Sequence, residues 1–249
     1  MLPLETLGDS ESAVNFRVLM TDDKTATTDS ATKIGDMLAS ETYKNNLDFW
    51  QRAWNGVKTP YTQMPDLPYL PSIPAWLNER KVETVLDLGC GSGWLSIFLA
   101  RQGFRVTGID VADHAIDLAR QWADQEDLDI EFDVGDIAEM DFPMGSFHAV
   151  VANSIFEHFT FQLAQLTINR LKSILLPGGG FIGCFDKVGT GPGEYFELDD
   201  GSHIYTDKGR KGMLLRYFPD SELEKLFADW TITKFEEFGS GSRFICAHS

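Results

Sequence analysis

Cysteine is scarce in this chain of 249 residues. Cys90, Cys184 and Cys246 are far apart in sequence and odd in number. No CxxC pair offers a metal site, and no even framework indicates disulfides. Cys184 and Cys246 lie in apolar, strand-like runs, where a free cysteine usually behaves as a small buried hydrophobe. This usage is typical of a reducing compartment, so we expect a cytoplasmic protein that binds no metal.

Long hydrophobic runs are also missing. Nowhere do 18 apolar residues follow one another, so the sequence predicts no membrane-spanning segment. The first ten residues lack the basic and apolar regions of a signal peptide. We therefore expect no association with a membrane.

Basic residues are in short supply, with 21 Lys and Arg against 38 Asp and Glu and a net charge of −17. A nucleic-acid binder needs a basic surface to neutralise phosphates, so a nucleic-acid partner is not expected. A hydrophobic fraction of 43% is enough for a full core. These values favour an acidic globular protein, and they leave its oligomeric state open.

Three regions differ in texture. Residues 1–30 are polar and predict a flexible N-terminal arm. Residues 31–81 predict a helical and proline-rich lid: Ile34, Leu38, Leu47, Trp50 and Trp54 have the spacing of one or two helices. Five prolines between Pro60 and Pro74 then favour extended chain over a surface. Residues 82–249 predict the third region, a ligand-binding domain.

That domain alternates strands and helices, which predicts an α/β fold with a mostly parallel sheet and helices on both faces. A long connection, Lys187–Phe218, interrupts the alternation and reads as structureless. Pro219–Ala228 predicts a helix with Asp220 or Ser221 as its cap. The other predicted strands are Val82–Leu88, Phe104–Asp110, Ile130–Val134, Ala149–Ala152, Gly180–Phe185, Trp230–Glu237 and Arg243–Ala247; the other predicted helices are Trp94–Arg101, Ala112–Gln125 and Phe161–Leu175.

A glycine-rich turn follows the first of these strands, with the spacing Gly89-x-Gly91-x-Gly93. Glycine allows a tight turn and lets a ligand approach the backbone closely. Asp110 ends the next strand, where a carboxylate can accept the hydroxyl protons of a ribose. A strand, a glycine turn, a helix and an acid at the next strand end together predict a nucleotide-like ligand.

Two features distinguish this turn from a dinucleotide site. The dinucleotide fingerprint is GxGxxG, and here bulky Trp94 follows the third glycine. Asp87 precedes the turn, and its charge suits a ligand carrying an ammonium and a sulfonium better than an anionic pyrophosphate. An NAD-dependent oxidoreductase therefore stays open only as a weaker alternative.

Residues 85–93 with Asp110 resemble the first two motifs of class I S-adenosylmethionine-dependent methyltransferases. The resemblance continues in order through Val134–Ile137, Phe147–Phe159 and Leu171–Gly183, and it covers about two thirds of the chain. It implies a Rossmann-like seven-stranded sheet of order 3-2-1-4-5-7-6 with the last strand antiparallel, and S-adenosyl-L-methionine as cofactor. The residues that it implies for cofactor binding are Asp87, Gly89, Gly91, Gly93, Asp110, Val111, Asp136, Ile137 and Asn153.

The acceptor side is less defined. Trp50, Trp54 and Tyr61 precede the first strand and either enclose a substrate or pack as part of an ordinary helix. Arg210 and Arg216 belong to a basic stretch in the long connection, which either holds a substrate anion or is a solvated loop.

Glu157 and His158 follow the fourth strand, where either residue acts as a general base or has only a structural role. The sequence predicts in-line methyl transfer to a small molecule, with oxygen or nitrogen acceptors favoured and sulfur possible. The alternative from a different class is a non-catalytic S-adenosylmethionine-binding protein.

Overall fold

The computed structural model describes residues 37, 40–60, 62–188, 193–239 and 241–249. The predicted arm, the predicted helical positions Ile34 and Leu38, and Tyr61 lie outside the described residues. Ten strands are described: β1 (Thr84–Leu88), β2 (Arg105–Asp110), β3 (Glu131–Val134), β4 (Phe147–Asn153), β5 (Leu175–Phe185), β6 (Tyr195–Glu197), β7 (His203–Tyr205), β8 (Leu214–Leu215), β9 (Thr231–Phe238) and β10 (Ser242–His248).

Seven of these strands form one sheet, in the order β3-β2-β1-β4-β5-β10-β9. Strands β1 to β5 pair in parallel, and β10 runs antiparallel to both of its neighbours. Counted in chain order within this sheet, the order is 3-2-1-4-5-7-6 with the last strand antiparallel. The predicted Rossmann-like fold is confirmed.

The helices of the described region pack on the sheet. Successive residues of a strand point to opposite faces of the sheet, and packed segments bury the side chains on both faces. Leu86 and Phe181 belong to one core cluster, and their neighbours Val85 and Ile182 belong to another. The helices are α1 (Glu41–Asn55), α2 (Ser72–Glu79), α3 (Trp94–Arg101), α4 (Asp113–Gln125), α5 (Phe161–Ile174) and α6 (Asp220–Leu226).

The sequence predicted that the proline-rich segment is extended throughout, and this prediction was wrong for its last part. Its last part forms α2, with Pro71 at the N-cap and Pro74 in the first turn. The first N–H groups of a helix have no intrahelical partner, so a proline there removes no hydrogen bond. Trp76 of this helix is buried against Gly180 of β5. The segment thereby contributes to the core on one face of the sheet.

The connection from 187 to 218 also differs from the prediction. It contains β6, β7 and β8, which form a separate antiparallel sheet in that order. Within the same region, the residues Gly189 to Pro192 lie outside the described part.

The predicted cap of α6 was wrong. Pro219 is the N-cap residue and makes no side-chain capping bond. Asp220 instead accepts from the guanidinium of Arg243, at 2.6 Å from its Nε. A partner from β10 therefore takes the carboxylate that local sequence reasoning assigned to the helix end.

Among the described helices, none is long and apolar enough to cross a membrane. All three cysteines are free and buried.

Candidate active site

A cavity opens at the carboxyl ends of the central parallel strands, beneath helix α1. Ligands of open α/β sheets bind at this edge, where the strand order reverses. Here the reversal lies between β1 and β4. The cavity is lined by Asn46, Leu47, Trp50, Trp54, Gly89, Gly91, Asp110, Val111, Asp136, Ile137, Ser154, Ile155, His158 and Phe159.

The turn after β1 gives this cavity its floor. Gly89 and Gly91 have φ of +63° and +53°, in the left-handed region that disfavours a side chain. A Cβ at Gly91 would lie 2.8 Å from Cζ2 of Trp54, and one at Gly89 would overlap Ile155. The turn therefore presents bare backbone to the cavity, as a site for a nucleoside ligand requires.

Asp110 holds that turn in place. Its carboxylate accepts the N–H of Gly91 at 2.9 Å and the N–H of Ala112 at 2.9 Å. Burial raises the pKa of Asp110 above its usual range, and the bonds from Ala112 and Gly91 oppose the rise. The carboxylate has four acceptor positions and accepts three backbone bonds, the third from Val111, so acceptor capacity remains for a ribose hydroxyl.

Asp87 lies below the turn and is not part of the cavity wall. It is buried and accepts from the hydroxyl of Ser96 at 2.6 Å, which ties β1 to helix α3. Burial raises its pKa to about 7; the Ser96 hydrogen bond opposes this rise, and the neighbouring Asp110 carboxylate adds to it. A nearby ammonium would favour the charged form of Asp87.

Asp136 and Ile137 follow β3 and reach the cavity beside Val111. The hydroxyl of Tyr43, on α1, faces both carboxylate oxygens of Asp136 at 2.6 and 2.7 Å. The N–H of Ala138 donates to Oδ1 at 2.9 Å. An acidic acceptor beside an apolar side chain is the combination that an adenine amino group and ring require.

Helix α1 covers the cavity through side-chain bonds to the sheet edge. Gln51 donates to the carbonyl of Val111 at 2.6 Å. Asn46 donates to the carbonyl of His158 at 3.0 Å and accepts from the N–H of Leu214 at 2.9 Å. The helix is thus positioned by the loops that follow β2 and β4 and by the small sheet.

His158 sits where this helix meets the loop after β4. Its Nδ1 lies 3.0 Å from the carbonyl oxygen of Leu214, which can only accept, so Nδ1 carries the hydrogen of the neutral ring. Nε2 is then the basic nitrogen. Burial lowers the pKa of His158 to about 4, so the ring is neutral at physiological pH. The ring packs edge-on against Trp50, with centroids 4.4 Å apart.

Glu157 points elsewhere. It is buried, and one carboxylate oxygen accepts the N–H of Asp186 while the other has no hydrogen-bond partner. Burial raises its pKa to about 8. The structure therefore places His158 at the cavity and Glu157 in the protein interior.

Comparisons with known proteins agree with this geometry. Residues 85–179 match the family model described as a methyltransferase domain. The matched segment, which is less than half of the chain, is similar to a methyltransferase domain. The predicted resemblance to class I S-adenosylmethionine-dependent methyltransferases, with S-adenosylmethionine as the cofactor, is confirmed for this segment.

Two relatives and one solved structure show how far the similarity extends. A ubiquinone biosynthesis O-methyltransferase of Coxiella burnetii is 34% identical over 99 residues, which are 40% of this chain and 42% of that protein. A 2-heptyl-1-hydroxyquinolin-4(1H)-one methyltransferase of Mycobacteroides abscessus is 26% identical over 179 residues, or 68% of this chain and 77% of that protein. The chain thus matches less than half the length of the first relative.

The solved structure is a magnesium protoporphyrin IX methyltransferase of Synechocystis with bound S-adenosylhomocysteine. It has a TM-score of 0.57 and 21% identity, and the match covers 88% of this chain and 99% of that one. At this identity the likeness shows the fold alone.

The fold does not bring all of the predicted site residues to the cavity. Gly93 is the N-cap residue of α3, and a Cβ there would meet Ala119 rather than a ligand. Asn153 accepts from the hydroxyl of Tyr69 at 2.6 Å and lies behind the wall that Ser154 and Ile155 form.

The two arginines that were candidates for the acceptor are bound elsewhere. Arg216 is buried, at 3% exposure, between Asp200 and Glu222, with the nearest carboxylate oxygens at 3.3 and 2.6 Å. Arg210 pairs with Asp207 at 3.1 Å and stacks on Tyr205 at 4.0 Å. Neither belongs to the cavity wall.

Sequence reasoning missed several residues of the site, and Tyr43, Ser154 and Ile155 are among them. Tyr43 is 93 positions from Asp136, and nothing in the local sequence links them. Ser154 and Ile155 follow β4 directly, and Ser154 has φ of +53°. Their position after a buried strand was the available signal, and it was assigned to Asn153 instead.

Proposed function

We propose that this protein transfers a methyl group from S-adenosylmethionine to a hydroxyl group of a small, largely apolar molecule. One observation carries the proposal: a single cavity unites the bare glycine turn, the Asp110 and Asp136 carboxylates, and a neutral histidine whose Nδ1 is fixed by a carbonyl. The first three suit the cofactor, and the last suits an acceptor that must lose a proton.

The cofactor fits the residues that are present. Gly89 and Gly91 leave room for the ribose and methionine part, and Asp110 would take ribose hydroxyls. Asp136 and Ile137 would hold the adenine, and Asp87 would attract the ammonium through water or by a short movement. When bound, the cofactor would supply a methyl group on a sulfonium. Transfer to the acceptor oxygen would form a carbon–oxygen bond and break the carbon–sulfur bond, whose electron pair would stay on sulfur.

His158 would accept the proton of the acceptor hydroxyl at Nε2. Alignment of reacting groups supplies most of the acceleration in such a transfer, roughly 7–11 kcal/mol, and a base adds to it only where a proton must leave. Leu47, Trp50, Ile155 and Phe159 would exclude water around the acceptor. Two relatives support an oxygen acceptor on a ring system, since one is named as an O-methyltransferase and the other as acting on a hydroxyquinolone.

The test offers S-adenosylmethionine with a labelled methyl group and a matched set of ring compounds: a phenol, the corresponding aniline and thiophenol, and the methyl ether as blank. We expect label on the phenol in excess of the other three. If S-adenosylhomocysteine binds but none of the compounds is labelled, the protein is a binder of the cofactor rather than an O-methyltransferase of small phenols. Preferred labelling of the amine or thiol would move the acceptor atom from oxygen to nitrogen or sulfur.

A further inference from the structure

The carboxylate of Asp136 is already engaged from above the cavity. The single hydroxyl hydrogen of Tyr43 faces both of its oxygens, at 2.6 and 2.7 Å. Oδ1 also accepts the N–H of Ala138, which fills its two acceptor positions. Oδ2 therefore keeps one open acceptor position, and the hydroxyl of Tyr43 fixes the orientation in which Asp136 presents it.

Tyr43 is itself held firmly. Its side chain is 5% exposed and packs edge-on against Phe159 with ring centroids 6.3 Å apart. Burial, followed by the nearby Asp136 charge, raises the pKa of Tyr43 far above its usual range, so the phenol stays a donor at every physiological pH. A neutral, immobile donor is suited to orienting a carboxylate.

We infer that Tyr43 is a positioning residue for adenine selectivity: it aims the free acceptor position of Asp136 at the exocyclic amino group of the cofactor and thereby couples the docking of helix α1 to recognition of the base. The inference rests on the proposed cofactor. It concerns discrimination between an amino donor and an oxo acceptor on the purine, and it is independent of the methyl acceptor.

A binding site discriminates between similar ligands when the wrong ligand leaves a buried polar group of the site without a hydrogen-bond partner. An inosine base replaces the amino group with a carbonyl oxygen, which would face the Asp136 carboxylate with no hydrogen between them. The wild-type protein should therefore bind S-adenosylhomocysteine much more tightly than S-inosylhomocysteine. Loss of the Tyr43 hydroxyl frees the carboxylate to rotate, and the difference between the two ligands should shrink.

The experiment measures dissociation constants of both ligands by titration calorimetry for the wild type and Tyr43→Phe. Phenylalanine keeps the ring packing against Phe159 and removes only the donor. The ratio of interest is the dissociation constant of S-inosylhomocysteine divided by that of S-adenosylhomocysteine. We expect Tyr43→Phe to lower this ratio by at least about fivefold, mainly because S-adenosylhomocysteine binds more weakly. Tyr69→Phe is the matched control, because it removes a lid hydroxyl bonded to Asn153 instead. Its ratio should equal that of the wild type.

An unchanged ratio in Tyr43→Phe, whatever its absolute affinities, would show that Tyr43 only docks α1 and would overturn the inference. Asp136→Asn provides a second route: in that background the Tyr43→Phe change should no longer alter the ratio, and a further fall would contradict the coupling. If the wild type binds neither ligand, the proposed function itself fails, which is a distinct outcome.

Discussion

The backbone N–H of Gly91 donates to the carboxylate of Asp110 across 2.9 Å, and this bond joins the turn after β1 to the end of β2. The group proposed to bind the ribose is therefore the same group that fixes the turn on which the ribose would rest. Changes at Asp110 act on both the ligand contact and the shape of the turn.

Asp110→Ala should abolish cofactor binding. At 100 times its dissociation constant, S-adenosylhomocysteine should stabilise the wild type by about 2.7 kcal/mol, which raises the unfolding midpoint by roughly 5–10 °C. The variant should show no such rise, and NAD should produce none in either protein. A rise with NAD alone would contradict the assignment of the cofactor.

Gly91→Ala should destabilise the protein for two separable reasons. The left-handed backbone costs about 1–2 kcal/mol for a residue with a Cβ, and that Cβ would also press on Trp54 at 2.8 Å. Trp54→Ala should remove the cost of the contact with the ring. Measured by denaturant unfolding, Gly91→Ala should therefore lower the free energy of unfolding less in the Trp54→Ala background than in the wild type.

Gly103→Ala is the control for this cycle. Gly103 has φ of +91°, but a Cβ there would meet nothing within 4 Å. It should show the backbone cost without any coupling to Trp54. An equal loss of stability in both glycine variants, with no coupling at Gly91, would show that the Trp54 ring yields without cost.

Local sequence was enough to predict the parts of the site that lie at the end of a single strand. The turn after β1 and Asp110 each carry their signal within a few residues, because a buried strand must end where the backbone turns towards the ligand. The sheet order followed from the resemblance, since alternation alone does not fix which strands pair.

Other features depend on contacts that local sequence does not encode. The bond from Tyr43 to Asp136 joins residues 93 positions apart. The five prolines led the sequence analysis to predict extended chain where α2 forms. A proline in the first turn of a helix costs no hydrogen bond, so it does not forbid the helix. The basic stretch with Arg216 looked open to a ligand anion, but Asp200 and Glu222, 16 and 6 positions away, bind its guanidinium once the connection has folded.

Arg216→Ala should cost stability rather than acceptor affinity. Its guanidinium is almost fully buried against Asp200 and Glu222, so its removal leaves two carboxylates without their cation. Removal of one partner from a buried pair costs about 3–5 kcal/mol, at the lower end here because both acids are partly exposed. Arg210→Ala, which breaks a more exposed pair, should cost less than about 1 kcal/mol by denaturant unfolding. A stable Arg216→Ala protein with weakened acceptor binding would restore the original assignment.

Glu157 should make stability depend on pH. Its pKa is raised to about 8 in the folded protein, so between its unfolded value of about 4.5 and 8 the folded state binds more protons than the unfolded state. Stability from this group is present at low pH and is lost as pH rises through this window. Relative to Glu157→Gln, the wild type should lose up to about 1.4 kcal/mol per pH unit from pH 5 to 8, and the difference should level off above pH 8. A difference that does not vary with pH would show that Glu157 is ionised when folded.

His158→Asn should slow methyl transfer to a hydroxyl by about 10²–10⁴-fold while S-adenosylhomocysteine binds with little change. The amide nitrogen of asparagine takes the position of Nδ1 and can still donate to the carbonyl of Leu214, so the loop after β4 should keep its position. The defect should shrink for phenols that are already ionised at the assay pH, because they need no base. Because burial holds the pKa of His158 near 4, wild-type activity should show no histidine inflection between pH 6 and 8 and should fall only as pH approaches 4. An equal loss for ionised and neutral acceptors would assign His158 to shaping the cavity rather than to proton removal.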